Sequence, residues 1–217
     1  SVLTSSDYVI GNLECMAKGN NGVNKLKKPR LTTTIETLNY LNDINLNVAC
    51  LAHNHIYDHL YDGYIKTIKF LQKNNIQHLG LKETKSHVSI PLIIKLDGIK
   101  IGILNYVTKD TNPNLPDYKG IYLNYFEKER CINEIKELKD KYNHVILCLH
   151  WGGKVEKGFF PDWNQPKIAR ELVDAGADLI IGHHSHTIQS YEKYKGKYIF
   201  YSLGNFCFSD IFHGGHL

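Results

Sequence analysis

Histidines cluster at three places in this chain where a largely apolar segment ends. Residues 182–186 read Gly-His-His-Ser-His and directly follow such a segment at 177–181. Two further segments end in the same way, with His-Asn-His at 53–55 and with His150 before Trp151. Neutral imidazole is the commonest metal ligand in proteins, and open α/β sheets place their sites at strand ends. Three such ends in one chain are difficult to explain by packing alone.

The spacing within residues 182–186 predicts which histidines work together. His184 and His186 lie two positions apart, so in an extended segment both side chains point to the same side. Both can bind one metal ion, or one can bind the metal while the other contacts substrate. A pair of exposed loop histidines is the less favoured alternative. His183 then points the other way, which favours a structural role.

The segment after the second strand offers a ligand and an acid. Asn54 supplies a neutral oxygen that suits a hard cation, or a borderline cation that also takes oxygen ligands. His55 is placed to protonate a leaving oxygen. Asp58 either orients His55 or caps the next helix, and we favour the cap. The alternative for the whole segment is an asparagine helix cap with surface histidines.

A site built from imidazoles alone would leave the charge of its cations uncompensated, so a carboxylate is needed. Glu14, which follows the first strand and Asn12, is the acidic group best placed to bridge two cations. His150 ends a rigid strand, and the glycines after Trp151 let a substrate approach the backbone. Taken singly, Glu14 would be interpreted as a solvated surface residue and His150 more often as a core or edge histidine. Together with Asn54 and the His-x-His pair, they form the ligand inventory of a two-metal hydrolytic centre.

Length and composition favour one ordinary folded domain over residues 1–217. The chain is 42% hydrophobic and 22% charged, and its net charge of +4 is mild, so we expect no nucleic-acid partner. Its five cysteines form no C-x-x-C pair and predict no disulfide framework. Lys25, Lys27, Lys28 and Arg30 are interpreted as a solvated loop, with contact to an anionic polymer as the alternative.

Hydrophobic periodicity predicts alternating strands and helices mixed with hairpins. The predicted helices cover residues 32–45, 61–74, 126–142 and 164–175, and the predicted single strands cover 8–10, 48–52, 145–149 and 179–181. Two hairpins are expected, over 90–106 around Asp97-Gly98 and over 187–203 around Lys195-Gly196. Residues 108–118, with two prolines, read as a loop. This order indicates a layered α/β fold with a partly antiparallel sheet.

The chain resembles a known family over nearly its whole length. The matching segments are 7–14, which ends Gly-Asn-Leu-Glu, then 51–58 with Asn-His, 150–152 as His-Trp-Gly, 174–186 and 201–206. In this order they are similar to the CapA group of capsule and poly-γ-glutamate synthesis proteins, within the calcineurin-like metallophosphoesterases. The resemblance implies a four-layer α/β/β/α sandwich with mixed sheets. It also implies a first strand, ending in a metal-binding Asp, that this chain lacks before Asp7.

The resemblance also assigns roles to individual residues. It implies two divalent metal ions (Mn, Fe or Zn) and an acid, His55. The implied metal ligands are Glu14, Asn54, His150, His184 and His186. The implied substrate-side residues are Asn12, Trp151, Lys154 and Asn205, although Asn12 is also a candidate for the bridging position. Lys154 stands where the family often has an acidic residue, so it either pairs with an anionic substrate or weakens metal binding, and Glu156 is close enough to substitute.

The leading hypothesis is a metal-dependent hydrolase of the phosphoesterase type, acting in capsule or poly-γ-glutamate biosynthesis on an anionic polymer or a phosphoester. One alternative is a non-hydrolytic accessory subunit in a synthase complex, and another is a metal-dependent amide hydrolase on the polymer. The family suggests the cell envelope, and a cytoplasmic location stays open. No membrane anchor is visible in this chain, which starts at Ser1 without Met. We expect it to be truncated at both ends.

Overall fold

The computed structural model of the protein describes residues 2–82, 89–115 and 121–208. Its strands are β1 (Ile10–Asn12), β2 (Met16–Ala17), β3 (Thr32–Thr33), β4 (Val48–Cys50), β5 (Gln77–Leu79), β6 (Leu81–Lys82), β7 (Leu92–Leu96), β8 (Ile99–Val107), β9 (Tyr122–Leu123), β10 (His144–His150), β11 (Leu179–His183), β12 (Tyr191–Tyr194) and β13 (Lys197–Phe200). Its α-helices are α1 (Ile35–Leu38), α2 (Tyr40–Asp43), α3 (Leu60–Lys73), α4 (Lys128–Lys139) and α5 (Asn164–Asp174). Short 3₁₀ helices cover Lys109–Thr111 and Gly153–Val155.

The smaller central sheet is parallel and has the strand order β1-β4-β5. Its middle strand carries Val48, Ala49 and Cys50, all of them buried. A strand that is apolar at every position is typical of a parallel sheet covered on both faces. β5 was not predicted from the sequence, since its residues lack a continuous apolar pattern.

The larger sheet has six strands in the order β12-β13-β11-β10-β8-β7. The four inner strands run parallel, and the edge strands β7 and β12 are antiparallel to their neighbours. Both predicted hairpins are confirmed. The first turns at Asp97 (φ 44°) and Gly98 (φ 82°), where two consecutive positive φ angles match the turn that suits the twist of a hairpin.

Three buried clusters define four layers. Between the two sheets lie Val48, Cys50, Leu79, Ile94, Ile103 and Cys148. Outside the small sheet, α3 buries Ile68, Phe70 and Leu71. Outside the large sheet, α4 and α5 bury Ile135, Leu138, Ala169 and Leu172. The predicted α/β/β/α sandwich with a mixed sheet is therefore confirmed. No helix within the described ranges is both long and apolar enough to cross a bilayer.

The predicted helix over residues 32–45 is wrong in its first part and is interrupted in its middle. Thr32 and Thr33 form β3, which pairs with β2 because two β-branched residues suit an extended backbone. Thr34 then caps α1, and its hydroxyl accepts the backbone N–H of Thr37 at 3.1 Å. The helix stops at Asn39 and resumes as α2. The predicted loop over 108–118 falls partly outside the described residues.

Packing between the two sheets predicts a large difference between two isoleucines of β8. Ile103 is fully buried, whereas Ile99 on the same strand is 45% exposed. Replacing a buried isoleucine by alanine leaves a cavity, so we expect Ile103→Ala to lower the free energy of unfolding by about 2–5 kcal/mol. Ile99→Ala is the control and should cost less than about 1 kcal/mol. Urea unfolding of both variants measures this, and equal losses would contradict the layered core.

Candidate metal centre

Four side chains from four strand ends meet at one point. Glu14 follows β1, Asn54 follows β4, His150 ends β10 and His184 follows β11. Nε2 of His150 lies 2.9 Å from Oδ1 of Asn54 and 3.1 Å from Nδ1 of His184. The same nitrogen lies 3.5 Å from Oε1 of Glu14. The ligand atoms of Glu14, His150 and His184 lie within 4.8 Å of one another, so one cation can contact all of them.

Burial sets the charge of these groups. It is the main cause that lowers the pKa of His150 well below its ordinary value, and the neighbouring His184 adds to it. Burial, followed by His186, lowers the pKa of His184 to about 4. Both imidazoles are therefore neutral at pH 7, which is the form that binds a metal ion. The contact between His150 and Glu14 is accordingly not an ion pair.

Glu14 shows that the residues present suit a cation. Burial raises the pKa of its carboxyl to about 8. Its Oε1 is buried and accepts no hydrogen bond from the described part of the chain. A buried carboxylate oxygen without a donor is costly, and a cation coordinated there would remove that cost. The donor set of carboxylate, amide oxygen and imidazoles fits Mn, Fe or Zn.

A second position adjoins the first. Nε2 of His186 lies 3.8 Å from Oε1 of Glu14, which places this oxygen between His150 and His186. The other ring nitrogen of His186 is paired with Oδ1 of Asn205 at 2.9 Å. A hydrogen bond of this kind fixes the orientation of a metal-binding imidazole. In the described residues, Glu14 and His186 are the two donors that we assign to this position.

The backbone after β11 departs from the extended form expected from the sequence. The strand ends at His183, and both His184 (φ 104°) and His186 (φ 60°) have positive φ angles. Two side chains thus reach Glu14 through a tight turn and not through strand alternation. Positive φ is uncommon for residues other than glycine, and such conformations cluster at functional sites. The turn is held by Ser185, whose carbonyl accepts the N–H of Lys157 at 2.7 Å.

His55 lies at the same strand ends and is paired with an acid. Its Nδ1 is 2.6 Å from Oδ2 of Asp58, and both side chains are buried. The same carboxylate oxygen accepts the N–H of Leu31 at 2.7 Å. The N-cap position of α3 is His59, which makes no side-chain capping bond, so our expectation that Asp58 caps this helix was wrong. Asp58 orients His55 and leaves its Nε2 for other contacts.

The residues expected on the substrate side are placed in different ways. Asn12 donates from Nδ2 to Oε2 of Glu14 at 3.1 Å, so it positions that carboxylate. Trp151 is buried, and its indole N–H donates to the carbonyl of Tyr201 at 3.1 Å, which favours a structural role over contact with substrate. Lys154 is exposed on the 3₁₀ helix Gly153–Val155.

One residue near the site was missed. Lys27 was expected on a solvated loop, and this expectation is wrong, because its side chain is 4% exposed. Its Nζ donates to the carbonyl of Asn112 at 2.9 Å. Its neighbours Lys25 and Lys28 are exposed as predicted. No local pattern in the sequence distinguishes Lys27 from the two exposed lysines, because Asn112, which binds Lys27, lies 85 residues away.

The sequence has relatives over nearly its whole length. The family model described as bacterial capsule synthesis protein PGA_cap matches residues 1–210. The PGA biosynthesis protein CapA of Bacillus subtilis (strain 168) is 32% identical over 221 residues, which cover 95% of this chain and 54% of that protein. The capsule biosynthesis protein CapA of Bacillus anthracis is 30% identical over 218 residues, covering 95% and 51%. The chain spans about half the length of these curated relatives.

Solved structures show the same fold. A putative 5′-nucleotidase from Staphylococcus aureus, solved in complex with α-ketoglutarate, superposes with a TM-score of 0.56 at 17% identity, over 78% of this chain and 34% of that one. At this identity the likeness concerns the fold alone, which is of the metallophosphoesterase type. With a family model that spans almost the entire sequence, the chain belongs to the bacterial capsule synthesis protein family PGA_cap.

Proposed function

We propose that this chain is a metal-dependent hydrolase of the phosphoesterase type that acts in capsule or poly-γ-glutamate biosynthesis. The observation that carries the proposal is the convergence of Glu14, Asn54, His150 and His184 on one point. The CapA relatives supply the biosynthetic context. The substrate is then an anionic polymer or a phosphoester, and the cell envelope, where a capsule is assembled, is the proposed place of action.

Two divalent cations fit the proposal, one on the four converging donors and one between Glu14 and His186. Cations bound there supply Lewis-acid charge for a substrate oxygen and lower the pKa of an attacking water molecule. The buried carboxylate of Glu14 compensates part of their charge, and Asn12 and Asn205 hold Glu14 and His186 in place.

His55 is the proposed general acid. Asp58 fixes the ring through Nδ1, which determines its orientation and leaves Nε2 to give a proton to the leaving oxygen. The backbone N–H of Leu31 holds the Asp58 carboxylate at the same time. Burying an acid next to a histidine is costly, so we do not expect this pairing where the histidine has only a packing role.

A second candidate is a non-hydrolytic accessory subunit of a poly-γ-glutamate or capsule synthase. The observation that favours it is the second cation position, for which we assign two donors, Glu14 and His186, from the described residues. A chain that holds one cation firmly can recognise an anionic polymer without cleaving it. A third candidate, an amide hydrolase on polyglutamate, would use the same ligands.

The first prediction of the proposed function concerns cation binding. His150 and His144 lie at opposite ends of β10, and His144 is 51% exposed. We expect His150→Ala to weaken Mn or Zn binding by at least about a hundredfold, because even the loss of a residue behind a ligand costs tenfold to a hundredfold. His144→Ala is the matched control and should bind like the wild type. Isothermal titration calorimetry measures both, and equal affinities would place the cation elsewhere.

Proton donation by His55 is the second prediction. We expect His55→Ala to lower kcat on β-glycerophosphate and on a dialkyl phosphate, whose alkoxide leaving groups need a proton, by about 10²–10⁴-fold, the usual contribution of a general acid. Cation affinity should stay within about threefold. If the wild type binds cations but cleaves neither compound nor poly-γ-glutamate, the accessory-subunit candidate replaces the hydrolase. Cleavage of the polymer alone would identify the amide hydrolase.

A further inference from the structure

We propose that Lys27 is an anion-binding residue of this site, holding an oxyanion of the substrate beside the cations. The inference rests on the proposed metal centre and adds to it the residue that recognises the charge of the substrate. Phosphoryl and carboxylate groups share the required chemistry, because both offer charged oxygen acceptors to an ammonium group.

The hydrogen bonding of Lys27 is incomplete. An ammonium group has three N–H donors, and one of them is used by the carbonyl of Asn112. The side chain is buried, yet it forms no ion pair with any carboxylate in residues 2–82, 89–115 or 121–208. Burial is the main cause that lowers the pKa of Lys27, and the charges of Asp58, Glu14 and Glu156 oppose it only in part. An incoming oxyanion would satisfy both the remaining donors and the charge.

The loop around Lys27 is built to hold it in place. Asn24 is buried, donates from Nδ2 to the carbonyl of Asn114 at 2.9 Å and accepts the N–H of Leu26 at 3.0 Å. Arg30 donates to the carbonyl of Lys27 itself at 2.8 Å. The bond to Asn114, and the bond that Nδ2 of Asn114 donates to the carbonyl of Leu26 at 2.9 Å, join the loop to the segment after β8, whereas the other two bonds lie within the loop. The position of the ammonium group is therefore fixed before any substrate arrives.

The same loop is anchored to the partner of the proposed acid. Asn24 N–H donates to the carbonyl of Asp58 at 2.9 Å, and Leu31 N–H donates to its carboxylate at 2.7 Å. Asp58 in turn orients His55. Lys27 thus lies on a loop that is anchored through Asn24 and Leu31 to the residue that orients the proposed acid.

The charge of Lys27 also acts on the metal ligands. Burial is the main cause that raises the pKa of Glu14, and Lys27 opposes it. Burial is likewise the main cause that lowers the pKa of His184, and Lys27 adds to it. Both directions agree with a positive charge that acts on Glu14 and His184. A residue whose only task was to bind the Asn112 carbonyl would need no charge there.

The test compares Lys27→Met with Lys25→Met, an exposed lysine on the same loop. The cation-loaded full chain is titrated with inorganic phosphate and, separately, with glutarate, whose carboxylates stand in for the free α-carboxylates of poly-γ-glutamate. We expect Lys27→Met to weaken one or both probes by at least about tenfold, since hydrogen bonds to charged groups are the strong class. The probe that is affected identifies the oxyanion. Lys25→Met should stay within about twofold of the wild type.

The outcomes separate this inference from the proposed function. Equal probe affinities in Lys27→Met and the wild type, or no binding of either probe by the cation-loaded wild type, overturn the role of Lys27. Failure of the wild type to bind a cation overturns the metal centre instead. If Lys27→Met does not fold, a crystal structure of the cation-loaded wild type with phosphate decides. A phosphate oxygen within about 3.2 Å of Nζ supports the inference, and a phosphate bound with all oxygens farther away overturns it.

Discussion

The buried carboxylate of Glu14 is the group on which the rest of the site depends. Its Oε1 lies 3.5 Å from Nε2 of His150 and 3.8 Å from Nε2 of His186, and it accepts no hydrogen bond from the described residues. Neutral imidazoles cannot compensate a carboxylate, so burial raises the pKa of Glu14 to about 8. At pH 7 a proton removes the charge of this carboxyl, and a bound cation would favour its ionised form instead. A divalent cation is the form of positive charge that all these donors can share.

Sheet geometry delivers the donors to this carboxylate. β10 pairs with β8 on one side and with β11 on the other, and the last residue pair in the second register is His150 with His183. Because parallel strands end at the same edge of a sheet, this register places His150 next to the turn after β11. The second sheet contributes Asn54, and the buried cluster between the sheets, with Cys50 facing Cys148, fixes its distance. The packing of the core therefore determines the distances between the donors of the site.

The sequence predicted correctly the features that depend on strand ends and short turns. Hydrophobic segments followed by histidines identified the strands that carry His150 and His184, because convergence follows from the parallel arrangement alone. The sequence did not predict the contacts between loops that are distant along the chain. The burial of Lys27 depends on Asn112, and the role of Asp58 depends on Leu31, which precedes it by 27 residues. Periodicity and spacing contain no information about such pairs. The break of the predicted helix at Thr32 and Thr33 has the same origin, since their partner is β2.

Asp58 links the two groups that we propose to contact the substrate, His55 and Lys27. Its carboxylate holds His55 and the N–H of Leu31, and its carbonyl holds Asn24. The proposed acid and the loop that bears Lys27 therefore share one anchor, so the distance between proton donor and positive charge is fixed by a single residue. A substrate must then present its leaving oxygen and its anionic group at a matching separation. Selectivity among substrates would arise from that spacing. The metal ligands would act in the same way on any ester that binds next to them.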